Sequence, residues 1–566
     1  MNCSSNAELV PGERAPVSAT MRLLRLWHTL RYLRPIQFWG RLRLKLYKPH
    51  PDLSNAPALR PTATIWINCA RQPSITGPTT FCFLNVEHTL RESSDWNNPN
   101  WPALWRYNLH YFDDLAADQA VRRKAWQRSL IQRWIDENPP GQGMGWDSYP
   151  ISLRVVNWIK WALAGNALNE QTRHSLAVQV RWLRKRLEIH LLGNHLWANA
   201  KALLFVGTFF EGSEADKWLA KGLALIRREL DEQVLPDGGH FERSPMYHCI
   251  LLEDLLDLLQ LAALFPNAFP GKDVAKWREC VPQMLRWLRI MTHPDGEIAF
   301  FNDATIGVAP NYAALSAYAS ALSIEADEAP LEKLEPLRES GYVRMEMGSA
   351  VLIADVGEIG PDYIPGHAHA DTLSFELSLN GRRVLVNGGI STYETGEERL
   401  RQRGTGSKNA LRVNGADSSE VWSSFRVACR ARPFDVSWSY AGGMLHLQAA
   451  HDGYARLGVK KTVRQWKLKP DSLKIVDKVE GASQTAAARF LAHPFFAWEQ
   501  DKIANILSGT LGDGETVFHW RSRDAVNASI VARTWHPGFG KSQSCQVLEL
   551  AVSGNCLNTE FSWGEN

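Results

Sequence analysis

Between about residue 100 and residue 325, apolar residues recur every three or four positions, the spacing that lines one face of a helix. The segments Ala125–Ile135, Ile151–Leu163, Leu176–Leu187, Leu196–Phe210, Trp218–Leu230, Ile250–Leu264 and Val274–Met291 carry this period. Short connectors such as Asn138-Pro139-Pro140-Gly141 and Pro236-Asp237-Gly238-Gly239 separate them, and they are rich in residues that stop helices. Repeated amphipathic helices with short turns predict helical hairpins, arranged as a bundle, a solenoid, or a solenoid closed into an α/α toroid. Further on the period falls to two. Ser349–Asp355, Thr372–Leu379, Arg383–Val386, Phe434–Trp438, Met444–Ala449, Val459–Lys467, Ser472–Asp477, Val526–Ala532 and Gln546–Ser553 alternate in this way. Asn380-Gly381, Asn414-Gly415 and Ala441-Gly442-Gly443 supply hairpin turns, so an antiparallel β-sandwich is expected. The predicted organisation is a basic N-terminal extension packing on the body (1–95), an incomplete α/α toroid of helical hairpins (96–325), an acidic, Pro-containing linker (326–340) and the sandwich (341–566).

Composition narrows this picture. The chain has 566 residues, 45% hydrophobic and 22% charged, with a net charge of +3. Cores can therefore form, and the charge balance gives no reason to expect nucleic acid as a partner. No glycine-rich loop follows a strand and opens a helix, which argues against a nucleotide enzyme. The 23 tryptophans suit either helical cores or the stacking of sugar rings. Eight cysteines lack any CxxC pair, so neither a disulfide scaffold nor a zinc finger is expected. No apolar run is long enough to span a membrane, and the first twenty residues lack the apolar core of a secretory signal. Residues 21–48 hold eight cations and no acid, interleaved with Leu, Trp and Phe. The favoured reading is a pair of helices, broken at Pro35, that dock on the body with their charges in water. The other is peripheral contact with an anionic membrane. Oligomeric state and compartment are left open.

Three polar clusters lie in apolar surroundings, where burial is costly unless the groups are paired or used. In the first, Gly193 and Asn194 open a long helix, followed by His195. A helix start can hold an anion such as a substrate carboxylate, although Asn194 also suits a simple N-cap. The second is His240-Phe241-Glu242-Arg243-Ser244-Pro245-Met246-Tyr247-His248, where a phenol beside Arg243 and Glu242 can serve as acid or base. In the third, His367, His369 and Asp371 alternate along an extended segment that leads into a strand, so all three point to one side. That spacing suits a metal site, or one catalytic histidine beside a structural one.

Together these clusters resemble the heparinase II/III family of polysaccharide lyases and related alginate lyases. The resemblance rests on Asn194-His195, on Ser244-Pro245-Met246-Tyr247-His248, and above all on Gly366-His367-Ala368-His369-Ala370-Asp371-Thr372-Leu373-Ser374-Phe375-Glu376-Leu377. It implies an α/α toroid followed by an antiparallel β-sandwich, and a carbon-oxygen lyase that cleaves an acidic, uronate-containing polysaccharide by β-elimination. It implies Asn194 as the group that stabilises the carboxylate, helped by His195. Tyr247 becomes the acid and candidate base, His367 the partner base, and His248 an orienting residue. Arg243, Arg401 and Arg403 are expected to contact substrate. The resemblance also favours the periplasm.

The departures from the family matter as well. There His369 would share a structural metal with an aspartate and a later histidine, but the corresponding positions are Asn387 and Lys408. An amide and an ammonium are poor ligands, so no cofactor is expected to be required, and zinc or calcium at His369 is expected to bind weakly or not at all. Two other functions fit the same sequence. One is a non-catalytic glycan-binding protein of bacterial polysaccharide assembly. The other is a glycoside hydrolase, which would need paired carboxylates, with Glu242, Asp237 and Asp147 as candidates.

Overall fold

The computed structural model describes residues 19–62, 65–481, 485–501, 507–513, 517–552 and 554–563. Two short helices, α1 (Ala19–Leu30) and α2 (Pro35–Leu46), come first, with Pro35 at the start of the second. A small three-stranded antiparallel sheet follows over Ile75–Thr89, and the sequence pattern did not indicate it. The helical region then runs through α3 (Ala103–Tyr111), α4 (Lys124–Glu137), α5 (Ser148–Leu163), α6 (Glu170–Lys185), α7 (Gly193–Phe209), α8 (Ser213–Gln233), α9 (Pro245–Leu264), α10 (Gly271–Ile290) and α11 (Tyr312–Ala321). In this incomplete α/α toroid, α7 packs on α5 and α8, and α9 on α10.

Local chemistry sets the helix starts. Asn169 caps α6 by accepting the Thr172 N–H at 2.8 Å, and Asn311 caps α11. Helix α9 opens on Ser244, whose hydroxyl accepts the Tyr247 N–H, with Pro245 at the first helical position. Proline is well placed there because its missing N–H would have had no partner in the helix. Helix α9 is apolar almost all round and lies within the core: Leu251, Leu252, Leu255, Leu256, Leu258, Leu259 and Leu261 are all buried. Each contributes about 1.5–3 kcal/mol on leaving water. Among the tryptophans, Trp96, Trp105, Trp134, Trp158, Trp218, Trp277 and Trp287 are also completely buried, so most of the excess is core.

The β region holds three larger antiparallel sheets. A five-stranded sheet runs in chain order from Leu334–Leu337 to Arg382–Leu385. The other two have eight strands and four strands. The linker expected over 326–340 is shorter than predicted. Leu334–Leu337 pairs with Tyr342–Met347 as an edge strand, and its Glu335 is buried against Arg286 at 2.6 Å. Acidic composition hid the alternation there, because the charge faces a partner rather than water.

Candidate active site

Tyr247 lies in the first turn of α9, held by the Ser244 cap and buried. Its ring sits 3.9 Å, centroid to centroid, from that of His367, which arrives from the β region. Its hydroxyl is 3.2 Å from the hydroxyl of Tyr393. Burial holds both phenols well above the ordinary tyrosine value, so Tyr247 carries its proton.

The turn before α7 is formed by Leu192 and Gly193, both at positive φ (64° and 53°). Leu192 occupies the N-cap position, so Asn194 lies within the first turn, partly exposed, and is not the cap. A Cβ on Gly193 would come within 2.9 Å of Glu242 Oε1, so the close approach of the Glu242 carboxyl needs glycine there. The Asn194 side chain interacts with the Tyr149 hydroxyl, and the Tyr149 ring packs 4.5 Å from that of His195. His195 Nδ1 bonds to Glu188 Oε1 at 3.0 Å, and Asn199 donates to the other Glu188 oxygen at 2.9 Å. Burial opposes a charge on His195, but the Glu188 carboxylate outweighs it and raises the imidazole pKa.

Glu242 completes this wall. It is fully buried, neither oxygen has a side-chain hydrogen-bond partner among the described residues, and His367 Nε2 is 3.9 Å from Oε2. Burial raises its pKa, with His367 pulling the other way.

Asp303 organises the histidine motif. It lies in the buried segment 298–305 that leaves α10. One Asp303 oxygen accepts His367 Nδ1 at 2.9 Å and the other accepts His369 Nε2 at 2.8 Å. Arg399 donates to both oxygens, at 2.5 and 2.7 Å. Burial would raise the Asp303 pKa, but Arg399 and the two imidazoles outweigh it and hold the carboxyl well below its usual range. With Nδ1 donating to Asp303, His367 turns Nε2 toward Glu242, and its ring packs on that of Tyr247. The strand expected from Thr372 starts at Phe375, because Leu373 adopts φ 61°. Asp371 turns away from the histidines and accepts the Asn302 N–H at 2.8 Å.

Lys408 fills the place beside His369. Its Nζ donates to His369 Nδ1 at 2.9 Å. Burial, reinforced by this ammonium, pushes the His369 pKa well down and keeps the ring neutral. Asn387 directs its amide to the Phe300 carbonyl at 3.1 Å. With an ammonium on the free imidazole nitrogen, this donor set does not fit a metal ion. Among the described residues, no group of three or more His, Cys, Asp or Glu side chains is arranged to hold one.

The expected orienting residue His248 and the three expected substrate contacts, Arg243, Arg401 and Arg403, are all engaged by groups of the protein. His248 is buried, stacked on Trp287 at 4.3 Å with Nε2 at the Met284 carbonyl, and burial lowers its pKa to about 3. Arg243 sits at φ 57° and donates to the Glu358 and Glu339 carbonyls, tying the two regions together. Arg403 is buried on the Ala368 and Ser423 carbonyls. Arg401 engages Glu398 and Thr534. The stretch 397–403 is a short helix, α12 (Glu397–Arg403), and its turn directs Arg399 and Arg403 inward. For hydrolysis, Asp237 is committed to Ser340 and Gly239, and Asp147 accepts from Tyr107 at 2.9 Å. Tyr149, Glu188, Asp303, Tyr393 and Arg399 complete the site, and only Arg399 lay in a stretch that the sequence had marked.

A toroid docked on a β-sandwich, with a tyrosine and a histidine meeting across the junction, is the architecture of a recognised class of proteins. Residues 110–329 match "Heparinase II/III N-terminus" and residues 329–564 match "Heparinase II/III-like, C-terminal". The chain belongs to the heparinase II/III family. It is 26% identical over 301 residues to a heparin-sulfate lyase of Bacteroides stercoris, covering 49% of this chain and 43% of that protein. It is 27% identical over 368 residues to FtsZ-localized protein C of Caulobacter vibrioides, covering 62% and 61%. The chain thus spans roughly half of each of these relatives. A crystal structure of heparinase III superposes with a TM-score of 0.67 at 17% identity, covering 96% of this chain and 89% of that one.

Proposed function

We propose that this protein is a polysaccharide lyase that cleaves a uronate-containing polymer by β-elimination. The observation that carries this reading is the contact of His367 and Tyr247, with the His367 tautomer set by Asp303. The uronate carboxylate sits against the first turn of α7, where the Asn194 amide, His195 and the backbone N–H groups favour the charge that builds up on it. His367 Nε2 removes the C5 proton. The electrons of that bond form the C4–C5 double bond, the C4–O4 bond breaks, and O4 takes the Tyr247 proton. The imidazolium then returns its proton to Tyr247 through the close contact between the rings. The reading extends to a reaction without metal, because Lys408 takes the position beside His369 that a metal would need.

Heparan-type glycosaminoglycans are the first substrates to test, in view of the heparin-sulfate lyases among the relatives. The decisive experiment is ultraviolet absorbance of the unsaturated uronate, for the wild type and Tyr247→Phe, across a panel of uronate polymers. The expected result is a rise for the wild type and a rate lower by about 10²–10⁴ for the variant. New reducing ends without absorbance would mean hydrolysis. Glycan binding with neither signal would mean a non-catalytic protein.

A further inference from the structure

Helices α1 and α2 carry their apolar stripes outward. In a surface helix that packs on a body, the apolar face normally points in. Here Thr29 of α1 is buried, and Gln37 and Gly40 of α2. The opposite faces present Leu23, Leu26, Trp27 and Leu30 on α1, and Phe38, Trp39, Leu42 and Leu46 on α2, all exposed. Trp27 is 62%, Trp39 60% and Leu46 75% exposed. So many large apolar side chains left exposed along two helices mark a binding face.

Both helices are anchored through their inner sides. Arg25 pairs with Glu420 at 2.8 Å, and Trp422 Nε1 donates to Thr29 Oγ1 at 3.1 Å. Gln37 donates to the Tyr363 carbonyl at 3.1 Å and Arg43 to the Lys185 carbonyl at 2.9 Å. Gly40 lies so close to His190 that an added Cβ would come within 2.8 Å of the His190 Cβ. The outward stripes are therefore fixed to the body and cannot turn inward without breaking these contacts.

Charge selects the occupant. From residue 19 to 48 there is no carboxylate, and Arg22, Arg31, Arg41, Arg43, Lys45 and Lys48 form no ion pair among the described residues. Arg426 adds its charge close to Arg41. Aromatic and leucine side chains ringed by cations fit the boundary between headgroups and acyl chains of an anionic bilayer, with the rings at that depth and the guanidinium groups on phosphates. Among the described residues no helix is long and apolar enough to cross a membrane. We propose that the outer face of α1 and α2 docks this protein on an anionic lipid surface.

The test is vesicle co-sedimentation of the full chain, with phosphatidylcholine alone or with about 30% phosphatidylglycerol. A triple variant, Trp27→Glu, Trp39→Glu and Leu42→Glu, and a charge variant, Arg41→Glu and Lys45→Glu, are compared with the wild type. Every altered side chain points outward, so circular dichroism and melting temperature should match the wild type. The expected result is about tenfold more wild-type protein on anionic than on neutral vesicles. The triple variant should lose binding, and the charge variant should lose the preference for anionic lipid. Equal sedimentation of wild type and triple variant, or none with either vesicle, overturns the proposal. So does a wild-type dimer in light scattering that the triple variant dissolves, because a second copy would then be the occupant.

Discussion

At the residue scale, Glu242 tests the electrostatics of the site most directly. A buried carboxyl without a side-chain donor is costly to ionise, and burial raises its pKa above the ordinary 4.5. The folded protein therefore holds this proton more tightly than the unfolded chain does. Its contribution to stability is present at low pH and is lost as pH rises through the folded value. Glu242→Gln removes the charge and keeps a donor. It should melt higher than the wild type at about pH 7.5, and the gain should vanish at about pH 4, where both forms of the chain are protonated. Thermal melts at the two pH values check this. A loss of stability at about pH 7.5 would mean that the carboxylate is charged and paired in the fold. In the lyase reading, Glu242 lies beside Gly193 at the start of α7, where a proton on its carboxyl would be directed at the substrate carboxylate. Activity should then survive in Glu242→Gln and fall by about tenfold or more in Glu242→Ala, the cost of one donor aimed at developing charge.

At the scale of elements, the segment 405–409 sets Lys408 against His369, and the strand end at 385–387 carries Asn387, whose amide is held by the Phe300 carbonyl. Restoring both ligand types, with Lys408→His and Asn387→Asp, should give a protein that retains zinc through dialysis, while the wild type should retain less than about a tenth of an equivalent. Metal analysis of both proteins decides it, and zinc bound one-to-one by the wild type would show that the lysine moves aside. The positions of Asn387 and Lys408 were legible in the sequence because they lie within a motif. So were the helices, whose period is set by one buried face, and the pairing of His367 with Tyr247. Asp303, Tyr149 and Tyr393 were not legible. Asp303 and Tyr393 lie where the local pattern is unremarkable and acquire their roles only when the toroid and the sandwich meet, while Tyr149 acquires its role when α5 packs on α7. Arg403, expected to contact substrate, misled for the opposite reason. A run of arginines suggests a solvated or anion-binding loop, yet the turn of a short helix points two of them into the junction, where carbonyls and one carboxylate absorb their donors. The outward stripes of α1 and α2 show the same limit, since period alone reveals a stripe but not which way it faces.

At the scale of the whole molecule, the Asp303–Arg399 pair latches one half to the other. Asp303 belongs to the segment leaving the helical region, Arg399 to the β region, and both side chains are completely inaccessible. Arg399→Gln would leave a buried carboxylate facing two imidazoles that do not replace the guanidinium. Breaking such a pair costs about 3–5 kcal/mol. The exposed pair Arg521–Glu560 is the control, because Arg521→Gln should cost at most about 1 kcal/mol. Calorimetry should show the single transition of the wild type moving down in Arg399→Gln and separating into two as the halves uncouple, with Arg521→Gln close to the wild type. The Asp303 pKa is depressed, so the latch contributes fully above the ordinary carboxyl value of 3.8 and is lost only as pH falls through the lower folded value. The gap between wild type and Arg399→Gln should therefore hold from neutral pH to about pH 4 and narrow below it. Turnover should fall with the latch, because the carboxylate that joins the halves also sets the tautomer of His367. An Arg399→Gln protein that melts as one unit at the wild-type temperature would mean that the other contacts across the junction, apolar and polar, hold it without this pair.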